Sequence, residues 1–237
     1  MREESKTKSQ MNPPLVACLM PTAGRLHLLP RALRSFSRQT YPNRVLILLS
    51  NDPQEDEVIA TLRITPDIIT HAAQPGKTLG YYRNVTAQLA VAAGAIIAVH
   101  FDDDDWSHPE RIADQVAALE ASDRDCVGYR SGLFWLEDEG RAWMYSNGLK
   151  CYCLGNSLCY WLKVWERAKF PELRRGEDYH WLREIDALGL APEEPRIIAA
   201  VHNGNAVNYP IEQQAKSSIS WRRAAEWDEM CRKEMAL

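Results

Sequence analysis

Unbroken apolar runs, each halted by a polar cluster and separated by helical-period segments, constrain this chain more than any other feature. Residues 15–20 (Leu-Val-Ala-Cys-Leu-Met) form the first run, and Pro21-Thr22-Ala23-Gly24 stops it. Residues 45–49 form a second, ended by Ser50-Asn51-Asp52-Pro53, and residues 68–70 a short third. Residues 95–101 form a fourth, and four aspartates follow directly. Short continuous runs of this kind fit strands buried on both faces, as in a parallel sheet. Between them, Leu28, Leu29, Leu33 and Phe36 recur at helical spacing over residues 27–38. Further helices are expected at 55–63, at 79–94 and from His108-Pro109-Glu110 to about residue 121, where a proline near the first turn is tolerated. Strand–helix alternation predicts βαβ units in a single α/β domain, with a mixed, mainly parallel, Rossmann-like sheet flanked by helices. Ligands of such sheets bind at the carboxyl ends of the strands. The polar clusters at 21–23, 51–52 and 102–105 fall there.

The second half differs. Residues 126–165 carry Trp- and Tyr-rich segments between Gly128, Gly132, Gly140, Gly148 and Gly155, which suggests strands of mixed direction. A helix is expected at 179–188 and a strand at 197–201, followed by His202. The expected organisation is a disordered lead-in over 1–13, one domain over 14–210 with halves 14–122 and 123–210, and an amphipathic helical tail over 211–237. At 237 residues and 46% hydrophobic the chain can bury a core. A net charge of −4 without a basic stripe argues against a nucleic-acid partner. The N-terminus has no apolar core of a signal peptide, and the longest apolar stretch, 89–99, is too short to span a bilayer. The expected location is therefore the cytoplasm; the polar N-terminus and amphipathic tail would suit peripheral docking on a membrane or a partner. Six cysteines read as free thiols in that setting. Cys151, Cys153 and Cys159 lack the matched second pair of a zinc site.

Asp102-Asp103-Asp104-Asp105-Trp106 is the strongest chemical signal. Adjacent carboxylates at the end of a buried strand repel, each pair by on the order of a few kcal/mol at intermediate dielectric. A compensating cation is expected, and hard oxygen ligands suit Mg²⁺ or Mn²⁺. The plainer reading is a solvated acidic turn before a helix. Asp52 could accept the imino proton of a pyrimidine base, or belong to an ordinary turn. Arg83 could fork onto phosphate or pack against a base, or be a surface arginine. Glu177 and Asp178 could take a proton from an attacking hydroxyl, or cap a helix. His202 could bind a metal or phosphate, or be structural.

In this order the motifs resemble the family 2 inverting glycosyltransferases with a GT-A fold. The resemblance runs from about residue 15 to about residue 208. Residues 16–25 resemble the family's opening strand and loop, and 33–42, ending Gln39-Thr40-Tyr41-Pro42, its first helix. Gly80, Arg83 and Asn84 are similar to its G-x-x-x-R-N stretch. Phe101 to Trp106 with Pro109 resembles its L-D-x-D-D-W-x-x-P pattern, and Glu177-Asp178 its E-D motif. The resemblance implies transfer of a sugar from a nucleotide-sugar donor, UDP-linked by family habit, to an acceptor hydroxyl, with Mn²⁺ or Mg²⁺. It makes 14–122 the donor half and 123–210 the acceptor half. It places Pro21, Thr22 and Asp52 around base and ribose, and Arg83 at base or phosphate. Asp104 becomes the direct metal ligand, Asp102 a group near ribose or metal with Asp103 beside it, and His202 a further ligand. Asp178 becomes the catalytic base, with Glu177 beside it. Trp135, Trp143 and Trp161 lie in the expected acceptor half, where one or more would stack on a sugar. Ser50-Asn51-Asp52-Pro53 departs from the usual D-D-G-S, which bears on base contacts. The rival readings are a nucleotidyltransferase, which would need a richer glycine and basic loop after the first strand, and a degenerate domain that only binds a nucleotide, sugar or partner.

Overall fold

The computed structural model describes residues 12–25, 27–52, 66–202, 211–216 and 218–236. The helix expected at 55–63 lies outside them, as do residues 1–11 of the lead-in.

The expected apolar runs form the centre of a seven-stranded sheet. β1 (Val16–Thr22) is flanked by β2 (Arg44–Ser50) and β4 (Ile97–His100), and β3 (Ile68–Ala72) lies beyond β2, all parallel. The other edge adds β9 (Cys159–Trp161), antiparallel to β4, then β6 (Cys126–Tyr129) and β10 (Ala187–Leu190). The sheet order is β10-β6-β9-β4-β1-β2-β3. Successive residues of β1 point to opposite faces. Val16, Cys18 and Met20 pack under α1 (Leu29–Ser37) and α3 (Arg111–Glu120) through Leu29, Phe36, Ile112 and Val116. Ala17 and Leu19 pack under α2 (Leu79–Ala92), α4 (Leu162–Arg167) and α5 (Glu177–Leu182) through Ala87, Ala90, Val164 and Trp181. Both faces are covered, so the strands are apolar throughout rather than alternating.

A second, five-stranded sheet has the order β12-β8-β7-β11-β5. It holds β5 (Trp106–Ser107), β7 (Ser131–Leu136), β8 (Arg141–Ser146), β11 (Ile197–Val201) and β12 (Trp221–Arg223). This matches the expected mixed directions: β7 runs parallel to β11 and antiparallel to β8.

Two expectations need correction. The helix expected at 179–188 is α5, and it ends at Leu182; Ala187 and Leu188 belong to β10, paired with β6. The tail is not wholly helical. α6 (Ile211–Ala215) and α7 (Asp228–Met235) flank β12, which pairs with β8. α7 is docked rather than appended, with Cys231 and Met235 buried against Trp106 and Trp135. Among the described residues no helix is long and apolar enough to cross a membrane.

Candidate active site

The acidic run leaves β4 at His100 and re-enters a sheet at Trp106, so it turns between the two sheets. One buried guanidinium holds both ends of that turn. Arg111 of α3 donates from Nη2 to the carbonyls of His100 (2.7 Å) and Asn156 (2.8 Å), and from Nη1 to Ser107 Oγ (2.8 Å). Gln115, one helical turn on, accepts from Arg111 Nε at 3.1 Å and donates to the Ser157 carbonyl at 2.5 Å.

The four carboxylates have different surroundings. Asp105 is buried, accepting from the Ala200 backbone N–H (3.0 Å) and from Asn156 Nδ2 (2.6 Å). Burial pushes its carboxyl well above the usual range, and Asp104 and Asp102 push it further. Asp103 is fully buried and paired with Arg25 Nη2 at 2.5 Å. Asp104 Oδ2 receives Arg25 Nη1 at 2.7 Å and lies 3.4 Å from His202 Nε2. Burial works against the charge of Arg25, but Asp103 and Asp104 outweigh it and hold the guanidinium charged. Asp102 pairs with Arg83 Nη1 at 2.8 Å, and Arg83 Nε lies 3.9 Å from Glu177 Oε1. Burial alone would lower Arg83, but Asp102 and Glu177 raise it. Burial would likewise raise Asp102, and Arg83 overrides it, leaving the carboxyl below its ordinary value. Arg25 and Arg83 thus supply much of the positive charge that the acidic run demands, for which the sequence suggested a metal or a solvated turn.

The catalytic candidates converge from α5. Gly176 adopts the left-handed conformation (φ 74°) that turns the chain into this helix. Glu177 is buried against Arg83; burial raises its carboxyl to about 7, opposed by Arg83 and assisted by Asp178. Asp178 points instead at Gly155, where a Cβ would stand 1.7 Å from Asp178 Oδ2. The carbonyl of Gly155 takes a hydrogen bond from His100 Nδ1 at 2.8 Å. A carbonyl only accepts, so Nδ1 carries the proton. Burial, then Arg83, pulls His100 far below its usual value and keeps it neutral. Asn84 clamps the segment leading to α5, donating to the Phe170 carbonyl (2.8 Å) and accepting from its N–H (3.0 Å).

Pro21, Arg25, Arg83, Asp102, Asp104, Asp105, Glu177 and Asp178 line one cavity of about 350 Å³. Six of the residues expected at the site from sequence are among them. Thr22 is buried at the end of β1. Asp52 follows β2, with Oδ2 3.4 Å from where a Cβ on Gly24 would be. Asp103 lies behind the wall and His202 reaches in through Asp104. None of the three tryptophans proposed as platforms lines the cavity. Trp135 packs toward α7, Trp143 against the β12 side, and Trp161 sits on β9 opposite Ile97. Phe134, one residue before Trp135 and so on the other face of β7, lines the cavity instead, with Tyr152. Sequence reasoning missed Arg25, Arg111, Gly155 and Asn156. The charge imbalance of the acidic run could have drawn attention to Arg25, whereas Gly155 and Asn156 carry no local signal.

Among the described residues no group of three or more His, Cys, Asp or Glu side chains is arranged to hold a metal ion. Asp104 and His202 still present a carboxylate oxygen and an imidazole nitrogen 3.4 Å apart at the cavity edge. This donor set fits a divalent ion that takes its remaining ligands from substrate phosphates and water.

A family profile described as Glycosyl transferase family 2 matches residues 17–177. A search of curated proteins finds no match. Among solved structures, a 1–349 fragment of TarS from S. aureus superposes with a TM-score of 0.62 at 15% identity, covering 79% of this chain and 60% of that one. The same fragment in complex with UDP-GlcNAc gives 0.63 at 15%, covering 86% and 64%. The mannosyltransferase PcManGT from Pyrobaculum calidifontis, in complex with GDP-Man and Mn²⁺, gives 0.64 at 14%, covering 95% and 70%. The chain thus spans 60% to 64% of the length of these TarS fragments. At such identities the likeness shows the fold, which is the GT-A type expected from sequence. With the profile covering most of the domain, from β1 to the first residue of α5, the chain belongs to glycosyl transferase family 2.

Proposed function

We propose that this chain is a metal-dependent, inverting glycosyltransferase that moves a hexose from a nucleoside-diphosphate sugar, UDP-linked by preference, to an acceptor hydroxyl. The observation that carries the reading is the convergence of Asp178, Arg83, Asp102 and Asp104 on one cavity at the carboxyl ends of β1 and β4. Solved relatives bound to UDP, UDP-GlcNAc and GDP-Man support the donor class.

Pro21, Thr22 and Asp52 border the base and ribose at the ends of β1 and β2. Arg83, held charged, faces the phosphates. Asp104 and His202 would hold Mn²⁺ or Mg²⁺, which when bound offsets charge on the leaving diphosphate. Such a cation competes with Arg25 for Asp104. Asp103 serves as the buried anchor of Arg25 rather than as a donor contact. Asp178 takes the acceptor proton while the acceptor oxygen attacks the anomeric carbon on the face opposite the leaving phosphate. Glu177, buried and turned to Arg83, orients that arginine and leaves the base role to its neighbour. The catalytic contribution is positioning and fixed charge.

Thermal unfolding against UDP, GDP and dTDP, each with and without Mn²⁺, tests the reading. A nucleotide at about 100 times its dissociation constant stabilises by about 2.7 kcal/mol. The expected result is a Mn²⁺-dependent shift with one nucleotide, UDP foremost, that is lost in Asp104→Ala. No shift with any nucleotide sinks the donor site and favours a degenerate binding domain. A shift that ignores Mn²⁺ removes the metal.

A further inference from the structure

Among the described residues, four guanidiniums line the cavity, and they fall into two classes. Arg25 is tied to Asp103 and Asp104, and Arg83 to Asp102 and Glu177. Arg174 and Arg175 are exposed, and neither makes an ion pair among the described residues. The buried Glu177 carboxylate has Arg83 as its ion-pair partner, at 3.9 Å.

The segment that carries them is held on both sides. Before it, Asn84 clamps Phe170, and the N–H of Gly80 at the start of α2 donates to the Leu173 carbonyl at 3.1 Å. Gly80 is required for this approach, because a Cβ there would lie 1.9 Å from the Pro171 carbonyl oxygen. After it, left-handed Gly176 turns directly into Glu177 and Asp178. Two adjacent, like-charged forks are therefore presented at the cavity mouth, three and four residues from the proposed base.

We propose that Arg174 and Arg175 form a subsite for an anionic group, a phosphate or carboxylate, on the acceptor. This deepens the glycosyltransfer reading and rests on it. A guanidinium fork matches either oxyanion in two parallel hydrogen bonds. The acceptor hydroxyl must lie within reach of Asp178, and three residues of chain span at most about 11 Å. A group docked on the arginines thus belongs to the molecule that approaches the base. In an inverting displacement the donor diphosphate departs on the far side of the sugar, and the proposed donor site gives that side to Arg83, Asp102 and Asp104.

The test measures anion binding separately from donor binding. Inorganic phosphate is titrated into the protein with and without saturating UDP and diamagnetic Mg²⁺, with ³¹P NMR line broadening as the readout. Wild type, Arg174→Ala/Arg175→Ala and the control Lys163→Ala are compared, and UDP affinity is measured on each by calorimetry. The expected result is phosphate binding that persists with UDP present, weakens at least tenfold in the double variant and is unchanged in the control, with UDP affinity unaltered. A tenfold loss of UDP affinity in the double variant assigns the arginines to the donor diphosphate and overturns the acceptor subsite. Phosphate binding equal in wild type and double variant, or absent from both, also overturns it. If UDP fails to bind wild type at all, the donor reading falls, while the nucleotide-free titration still reports on the arginines.

Discussion

A methyl group at position 155 would stand 1.7 Å from Asp178 Oδ2, so the room for the proposed base exists only because residue 155 is glycine. The clash is with the end of a side chain, which can swing away without unfolding the domain. Gly155→Ala should therefore lose transfer by at least about 100-fold, in the range of a missing general base, with nucleotide affinity and melting temperature near wild type. Asp178→Asn should behave alike in steady-state kinetics; near-wild-type turnover in that variant removes Asp178 as the base. Glu177 makes a different prediction. Its carboxyl sits at about 7 in the folded protein against 4.5 for the free group, because burial outweighs the pull of Arg83. Between those values the folded state binds more protons than the unfolded one, so this group's contribution to stability falls as pH rises through the interval. Glu177→Gln should flatten that fall, giving a melting temperature that gains on wild type from pH 4.5 to 7 and holds the gain above. Parallel melting curves for the two proteins across that range would show that Glu177 titrates normally. Of these residues, Glu177 and Asp178 were legible as a pair of carboxylates beside a glycine. Gly155 was not, because its requirement comes from a side chain 23 positions away.

Elements show the same division. Residues 15–20 and 45–49 announced β1 and β2 within a residue or two, because strands covered on both faces must be apolar at every position. α5 was misjudged because its six residues are too few to be stable alone. It exists because Trp181 is buried between Phe170, at 4.5 Å ring to ring, and Tyr160, at 4.8 Å. Arg111 reads in sequence as an ordinary residue in the first turn of a helix, yet it joins α3 to β4, β5 and the turn at Asn156. Arg111→Met keeps the aliphatic stem but leaves buried carbonyls unpaired, at about 1–3 kcal/mol each. Chemical denaturation should show a loss of about 3 kcal/mol or more, together with weaker nucleotide binding as the acidic turn loosens. A loss under about 1 kcal/mol would mean that water replaces the guanidinium.

Across the whole molecule, the last helix closes the structure over the acidic turn. Arg31 of α1, itself buried, donates to Glu137 Oε1 at 2.6 Å and to the Met235 carbonyl at 2.9 Å. Trp106 Nε1 donates to Glu234 Oε2 at 3.0 Å. Trp106 directly follows the four aspartates, so α7 braces the strand that leaves the acidic turn from more than a hundred residues away. Deleting residues 228–237 exposes Trp106 and Trp135 and leaves Arg31 with Glu137 but without the Met235 carbonyl. The midpoint of urea unfolding should fall, and nucleotide affinity should fall with it. An unchanged midpoint would reduce α7 to a surface appendage.

The sequence by itself determined the parallel strands, the placement of polar clusters at their carboxyl ends, and the family. Each of these rests on local patterns: apolar runs, helical spacing, and short motifs in order. Tertiary structure alone decided how the acidic run is neutralised, which of Glu177 and Asp178 is buried against Arg83, and which aromatic residues line the cavity. Arg25 meets Asp103 and Asp104 across nearly eighty residues, and Phe134 rather than Trp135 faces inward because of the register of β7 in a second sheet. Those outcomes depend on contacts between distant segments and on strand parity, and neither is written in any local stretch of chain.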